Sequence, residues 1–432
     1  MRKKMLKIGA SEEIITPKTG IELCGFLART QPSVGHYDDL YAKVLYAENN
    51  GNKILWIHCD LIGFSNDLAD SIRESSANLA QINVKNVLIS ATHTHSGPAT
   101  VHLRKCGNID ADYIDFLKKT IAEGVTNTIH NLEEVEPCFT ETTLDGVAID
   151  RRKSSENSHV DNKMPILAFR RNDASFKAVI ANYGIHNVGL SADNRKISGD
   201  IAGFAAKQAS ATINGNPIVF MTNGGCGNIN PAEVANGYSA VEKIGAILGN
   251  KIKDEMPNLQ AFSNCEISSS FSSLELPLEA LDCRRLDEIM SKHRQYCESL
   301  EDNYVNNRLY EALNIWHDET KKLIEINDIQ KSARAYIHIL KLGPIVFAGI
   351  NAEVFSIMAE QLRNETNLEH IYTLGYADGC LGYLAPEYIY NEGGYEVDDA
   401  HKFYGHFRLN KGCFELVKEK AVVNIKAIFK KK

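Results

Sequence analysis

The sequence predicts an α/β protein in which mixed β-sheets are flanked by helices. Three observations predict it. Apolar runs bounded by turn signals alternate with helix-period segments for most of the length. Polar residues gather where the apolar runs end, as they do at strand ends facing a site. No internal repeat, low-complexity linker or composition break divides the 432 residues. One domain spanning 1–432, with a helical insertion at about 279–326, is the architecture these features predict.

The elements follow in order. Lys53 to Cys59 and Val84 to Ser90 read as buried strands, and Ser65 to Ile82 between them as an amphipathic helix. Ala111 to Leu132 is a second helix, Lys177 to Ile185 a strand, Asp200 to Ile213 a helix, Pro217 to Thr222 a strand, and Ala232 to Met256 a long helix. Residues 279–326 are charged and nearly free of Gly and Pro, and read as two helices forming a hairpin over the main body. Ser332 to Ile350 returns to strand character with Gly343-Pro344 as its turn. Glu353 to Asn364 and Cys413 to Phe429 close the chain as helices.

Composition excludes several classes. Hydrophobic residues are 44% and charged residues 24%, which suits a globular core, and the net charge is −8. Nucleic-acid binding needs clustered cations, and the three-residue basic runs, Arg2-Lys3-Lys4 and Lys430-Lys431-Lys432 at the two ends and Arg151-Arg152-Lys153 between them, are short and far apart in the chain. No segment reaches the ~20 apolar residues of a membrane span, and Lys7, Ser11, Glu12 and Glu13 interrupt any export signal. Ten scattered cysteines without a C-x-x-C pair fit reduced thiols, so a cytoplasmic protein is expected.

The sharpest local signal is Ala91-Thr92-His93-Thr94-His95-Ser96-Gly97-Pro98, directly after an apolar run. Residues i and i+2 of an extended chain point the same way, so two imidazoles converge there, and neutral imidazole is a common zinc ligand. A hydrogen-bonded polar loop is the equally weighted alternative. Val179 to Ile185 ends at His186, and Ile345 to Ile350 precedes Glu353, which opens a predicted helix whose dipole accounts for a carboxylate. Two His and one Glu make a catalytic zinc set, though spacing does not show that they meet. Asn223-Gly224-Gly225-Cys226-Gly227-Asn228-Ile229-Asn230-Pro231 reads either as a Gly-rich turn or as a source of N–H groups for an anionic oxygen. Arg151 reads as an anion clamp or as half of an exposed pair with Arg152.

These segments together resemble the neutral/alkaline ceramidase family, in its catalytic domain. The resemblance runs in motif order from Ile8-Gly9-Ala10 and Ile14-Ile15-Thr16-Pro17 through Asp39-Leu40-Tyr41-Ala42 and Thr92-His93-Thr94-His95-Ser96-Gly97-Pro98. It continues to the Glu392-Gly393-Gly394-Tyr395-Glu396-Val397 loop and the last helix. It implies a Zn2+ site with His93, His186, Glu353 and Tyr383 as ligands, His95 and Arg151 on the substrate or oxyanion, and Tyr390 as the match, one residue out of register, to a second site tyrosine. Two departures stand out. The family's Gly-Asp-Val-Ser-Pro reads Gly227-Asn228-Ile229-Asn230-Pro231, so Asn230 replaces a serine, and a protein without a C-terminal immunoglobulin-like domain is expected.

The resemblance implies a zinc-dependent amidohydrolase in which metal-activated water attacks an N-acyl bond, with Asn230 as a further oxyanion donor. The expected substrate is a small-molecule or lipid-like N-acyl compound. The competing readings are a zinc esterase or lactonase, and a ligand-binding relative without catalysis.

Overall fold

The computed structural model describes residues 6–152, 157–300 and 303–430; Arg2-Lys3-Lys4 and Lys431-Lys432 lie outside them. The main sheet is built from β1 (Leu6–Ile14), β2 (Tyr41–Asn49), β3 (Asn52–Cys59), β4 (Val87–Ala91), β5 (Glu133–Thr143), β6 (Lys163–Arg170), β7 (Phe176–Tyr183) and β8 (Ile218–Asn223). Their spatial order is β8-β7-β6-β5-β1-β2-β3-β4, with Gln260–Ala261 added beside β5. The inner pairings are antiparallel, while β3 with β4 and β7 with β8 are parallel. A second sheet holds β9 (Ile267–Pro277), β10 (Ser332–Leu342), β11 (Ile345–Ile350) and β12 (Ile371–Leu374), paired in that order. The α/β class with mixed sheets is thus the observed one.

Period-two burial explains the layering. On β3, Ile54 and Trp56 face the second sheet, where Trp56 meets Phe347 edge-on at 5.1 Å, while Leu55, Ile57 and Cys59 face the helices. On β10, Ala335, Ile337 and Ile339 turn outward to a separate core, and Leu340 and Leu342 turn inward. The result is four layers. Helices α1 (Asn66–Ala80), α2 (Ala111–His130), α3 (Asp200–Thr212) and α4 (Tyr238–Glu255) cover the main sheet. The outer face of the second sheet is covered by α7 (Ile357–Thr366) and α8 (Cys413–Lys430). Between β9 and β10 the chain forms α5 (Cys283–Ser299) and α6 (Tyr304–Glu325), which pack on each other as the expected hairpin. Among the described residues, no helix is long and apolar enough to cross a membrane.

Three expected elements are shifted. Val84–Asn86 is a 3₁₀ turn held by the Asn83 side chain, so the strand starts at Val87. The long helix starts at Tyr238 rather than Ala232, because Ile229–Pro231 pairs with Ala148–Asp150 and Gly237 takes φ 79°. Glu353 does not open a helix: Glu353–Val354 is a short strand parallel to Tyr383–Leu384, and α7 begins at Ile357. Backbone pairing to two other loops overrides helix propensity there, with Glu353 N–H donating to Gly382 O and Gly227 N–H to Val354 O, both at 2.8 Å.

The main sheet curls until its edges approach. Lys43 on β2 donates to Val219 O on β8 at 2.8 Å, and His58 on β3 bonds Met221 O at 3.1 Å. Asn223, ending β8, donates to Thr92 O at 3.0 Å, just past β4. This closure places the two parallel edges side by side. Burial, with Lys43 adding repulsion, pushes the His58 imidazole down to about 3. The unfolded chain therefore binds this proton first as pH falls. Stability from neutral His58 is full above about pH 6.5 and is lost toward about pH 3, with a slope near 1.4 kcal/mol per pH unit. His58→Gln is expected to flatten the pH dependence of urea unfolding by about one proton between roughly pH 6 and 4; an unchanged slope contradicts this.

Candidate metal and active site

The site forms where the curled edges meet. Two residues beyond β4 lies His93, and three beyond β7 lies His186; Thr94 and Asn187 bridge the two segments in parallel. His93 adopts φ 65°, a left-handed conformation that costs a β-carbon-bearing residue about 1–3 kcal/mol and recurs at functional sites. Two glycines let the remaining strand join. A Cβ on Gly225 would lie 2.9 Å from Phe355 O, and one on Gly227 2.6 Å from Glu353 O. The Gly-rich segment therefore serves close backbone approach, and it carries Glu353 up to the histidines.

Each imidazole is oriented by a backbone carbonyl. His93 Nδ1 sits 2.6 Å from Ile62 O, His95 Nδ1 3.1 Å from Gly25 O, and His186 Nδ1 2.8 Å from Cys226 O. A carbonyl only accepts, so each Nδ1 carries the proton and each Nε2 presents a lone pair. Those lone pairs converge. His93 Nε2 and His95 Nε2 are 3.1 Å apart, and Glu353 Oε2 is 3.4 Å from His93 Nε2 and 3.3 Å from His186 Nε2. One ligand atom from each of His93, His95 and His186 lies within 4.8 Å of the others.

Glu353 is 2% exposed. Burial would raise its pKa, but His93 and His186 overcome this and hold the carboxyl well below its usual range. Burial and the neighbouring imidazoles push His95 well below its usual value, and burial brings His186 down to about 4. A buried carboxylate needs positive charge beside it, which protonated imidazoles or a cation held on their Nε2 lone pairs would supply. The donor set, nitrogen lone pairs fixed by outer carbonyls beside one carboxylate, is the chemistry that suits a divalent zinc-like cation.

Two tyrosines hold the carboxylate. Tyr404 OH donates to Oε1 at 2.5 Å and Tyr376 OH to Oε2 at 3.2 Å. Tyr376 also stacks on His93, 4.0 Å between ring centres, and its hydroxyl meets Cys226 Sγ at 3.1 Å. Tyr383 lies beside Glu353 in the short parallel pair, so both side chains leave the same face. The guanidinium carbon of Arg151 is 5.3 Å from the Tyr383 ring centre.

The structure thus brings His93, His95, His186, Glu353, Tyr383 and Arg151 to one place. Arg151 and Arg152 are not an exposed pair: Arg151 Nε binds Glu396 Oε1 at 2.8 Å and Arg152 Nη1 binds Oε2 at 2.6 Å, pinning the later loop. Tyr390 is elsewhere, donating to Leu409 O at 3.0 Å beside the outer core; Tyr395 lines the cavity instead, edge-on to Tyr383 at 5.8 Å. Asn230 sits in the strand paired with Ala148–Asp150 and is not among the cavity-lining residues. Its neighbour Asn228 takes the networked position, donating to Asp150 at 2.8 Å and accepting from Ser356 N–H at 2.9 Å.

A cavity of about 670 Å³ opens above His93, His95, Glu353 and Tyr383. Its outer wall comes from the hairpin, through Tyr296, Leu309 and Leu313. Sequence reasoning missed Tyr376, Tyr404 and these hairpin residues. Groups that orient ligands typically carry 10–100-fold in metal affinity. Tyr404→Phe is expected to weaken divalent-metal binding by roughly that factor in chelator competition; unchanged affinity would show that the Tyr404–Glu353 bond does not orient a ligand.

Comparisons with known proteins bear on the family and the fold. The family described as neutral/alkaline non-lysosomal ceramidase, N-terminal, matches residues 6–275, more than half of the chain. Neutral ceramidase B of Dictyostelium discoideum is 27% identical over 232 residues, covering 48% of this chain and 32% of that protein. Neutral ceramidase A of the same organism is 23% identical over 216 residues, covering 45% and 30%. The matched stretch thus spans about a third of each curated relative. The crystal structure of neutral ceramidase from Pseudomonas aeruginosa superposes with a TM-score of 0.73 at 14% identity, covering 98% of this chain and 75% of that one. A ceramidase complexed with C2 gives 0.76 at 13% identity, covering 99% and 75%. These two likenesses establish the shared fold. On the family match, the chain belongs to the neutral/alkaline non-lysosomal ceramidase family.

Proposed function

We propose that this chain is a zinc-dependent hydrolase that cleaves the amide bond of an N-acyl compound. One observation carries the reading: imidazole lone pairs and a buried carboxylate oxygen face a common point, each imidazole with its proton turned outward to a carbonyl. His93, His186 and Glu353 would hold the ion, with Tyr383 as the further donor. A zinc ion there supplies Lewis acidity toward water and the amide carbonyl.

The chain's own groups divide the remaining work. His95 differs from the role first expected of it. With its Nδ1 proton given to Gly25 O, its Nε2 is an acceptor and cannot donate to an oxyanion. It is placed to take a proton from attacking water and return it to the leaving amine. Arg151 suits the oxyanion, because its Nη2 is shielded from solvent and has no hydrogen-bond partner. Such a donor is typically worth about 3–4 kcal/mol of barrier. The apolar cavity side chains Ile62, Leu103 and Phe403 suit an aliphatic arm and keep bulk water away.

Elemental analysis and turnover of N-acyl substrates test the reading together. His93→Ala and His186→Ala are expected to lose stoichiometric zinc and activity. His95→Ala is expected to keep zinc while kcat falls by about 10²–10⁴-fold. Full zinc and full activity in His93→Ala would refute the ligand assignment, and loss of zinc in His95→Ala would make His95 a ligand instead of the base.

A further inference from the structure

The cavity over the site has a neighbour at the helical hairpin. Lys292 and His293 on α5, with Asp399 opposite, also line a second chamber of about 320 Å³. On the side of the site cavity the hairpin wall is apolar, including Leu309 and Leu313, one turn apart on α6 and so on one face. The candidate metal site borders the first of these two adjoining spaces, and charge gathers around the second.

The chamber is basic in excess. Arg285, Lys292, Lys402 and Arg408 line it against Glu279, Asp398 and Asp399. All three acids are engaged: Lys402 Nζ lies 2.7 Å from Asp399, and Arg408 lies 3.3 Å from Asp398 and 4.0 Å from Glu279. Arg285 has its ion pair with Glu288, three residues along α5, at 3.4 Å. Lys292 has no ion pair among the described residues. Two polar nitrogens are also unspent, since His401 Nδ1 and Arg408 Nε are shielded from solvent without a hydrogen-bond partner, the second of them a donor. Unpaired buried polar atoms are costly in a native fold and call for a ligand or water. Burial, with Lys402, His406 and Arg408 close by, pushes the His401 imidazole well below its usual value and keeps it neutral, which adds no charge to repel a cation. Lys292, exposed and the one lining lysine or arginine without an ion pair among the described residues, therefore decides the sign of the ligand.

We propose that this chamber receives a small oxyanion, the carboxylate or phosphate that ends the apolar arm of the substrate. The proposal rests on the amidase reading of the adjoining site, and it narrows the substrate from any N-acyl compound to one with an anionic terminus separated from the amide by an aliphatic stretch. A carboxylate gains charge-assisted hydrogen bonds there, and a methyl terminus gains none.

The test compares suberanilate, an anilide whose aliphatic arm ends in a carboxylate, with octananilide, whose arm ends in a methyl group. With the zinc-loaded protein, kcat/KM for suberanilate is expected to exceed that for octananilide by roughly tenfold, and Lys292→Gln to remove most of that preference. Equal kcat/KM values, or a preference untouched by Lys292→Gln, would overturn the chamber assignment while leaving the amidase reading intact. If neither anilide is cleaved, the amidase reading fails separately, and titration calorimetry judges the chamber. Suberate binding roughly tenfold tighter than octanoate, with loss of the difference in Lys292→Gln, supports it; equal affinities overturn it. Inorganic phosphate separates the two sources of anion. Competition with suberanilate but not octananilide supports a substrate-borne terminus, and Lys292-dependent phosphate binding without any preference for suberanilate would assign the chamber to a free ion and overturn it.

Discussion

A buried carboxylate surrounded by imidazole lone pairs is the constraint on which the rest of the structure depends. Glu353 is 2% exposed, and its ion-pair contacts among the described residues are His93 and His186. Imidazoles whose Nδ1 protons are committed to carbonyls offer electron density to one another, which is unfavourable until a cation sits among them. The fold tolerates this arrangement because each member is held from outside. Ile62, Gly25 and Cys226 carbonyls hold the rings, and Tyr404 and Tyr376 hold the two carboxylate oxygens.

That constraint accounts for features that look unrelated along the chain. The curled main sheet brings the ends of β4 and β7 together, and without closure between Asn223 and Thr92 the two imidazoles would lie at opposite edges of the sheet. The left-handed backbone of His93 turns its ring onto Tyr376, and the glycines at 225 and 227 admit the Glu353 strand. Strain and close approach are concentrated at one place, and the four packed layers supply the stability that holds them there.

Much of this was legible in the sequence, for physical reasons. Strand-ending histidines are readable because β4 and β7 are buried along their whole length, so each is a short apolar run that the histidines follow closely. Glu353 is legible as a carboxylate that follows an apolar run, but the helix expected to start there is a strand, because tertiary pairing with Gly382 and Gly227 sets the backbone. Tyr376 and Tyr404 were not legible. The chain has 17 tyrosines, and nothing local distinguishes two whose shared partner is a distant carboxylate. Tyr390 and Asn230 were chosen by motif position, and the loop between Tyr383 and Glu396 places Tyr395 at the cavity instead. The hairpin was recognised as helical, but its role as a cavity wall depends on which face of α6 turns inward, and that is set by packing.

X-ray absorption at the zinc edge of the metal-loaded protein tests the central claim most directly, because it reports the atoms around the ion without relying on activity. The account predicts nitrogen and oxygen scatterers at about 2.0–2.2 Å, with the outer-shell pattern of at least two imidazoles. A sulfur scatterer near 2.3 Å, as Cys226 or Cys380 would give, or the absence of imidazole scattering, would contradict it.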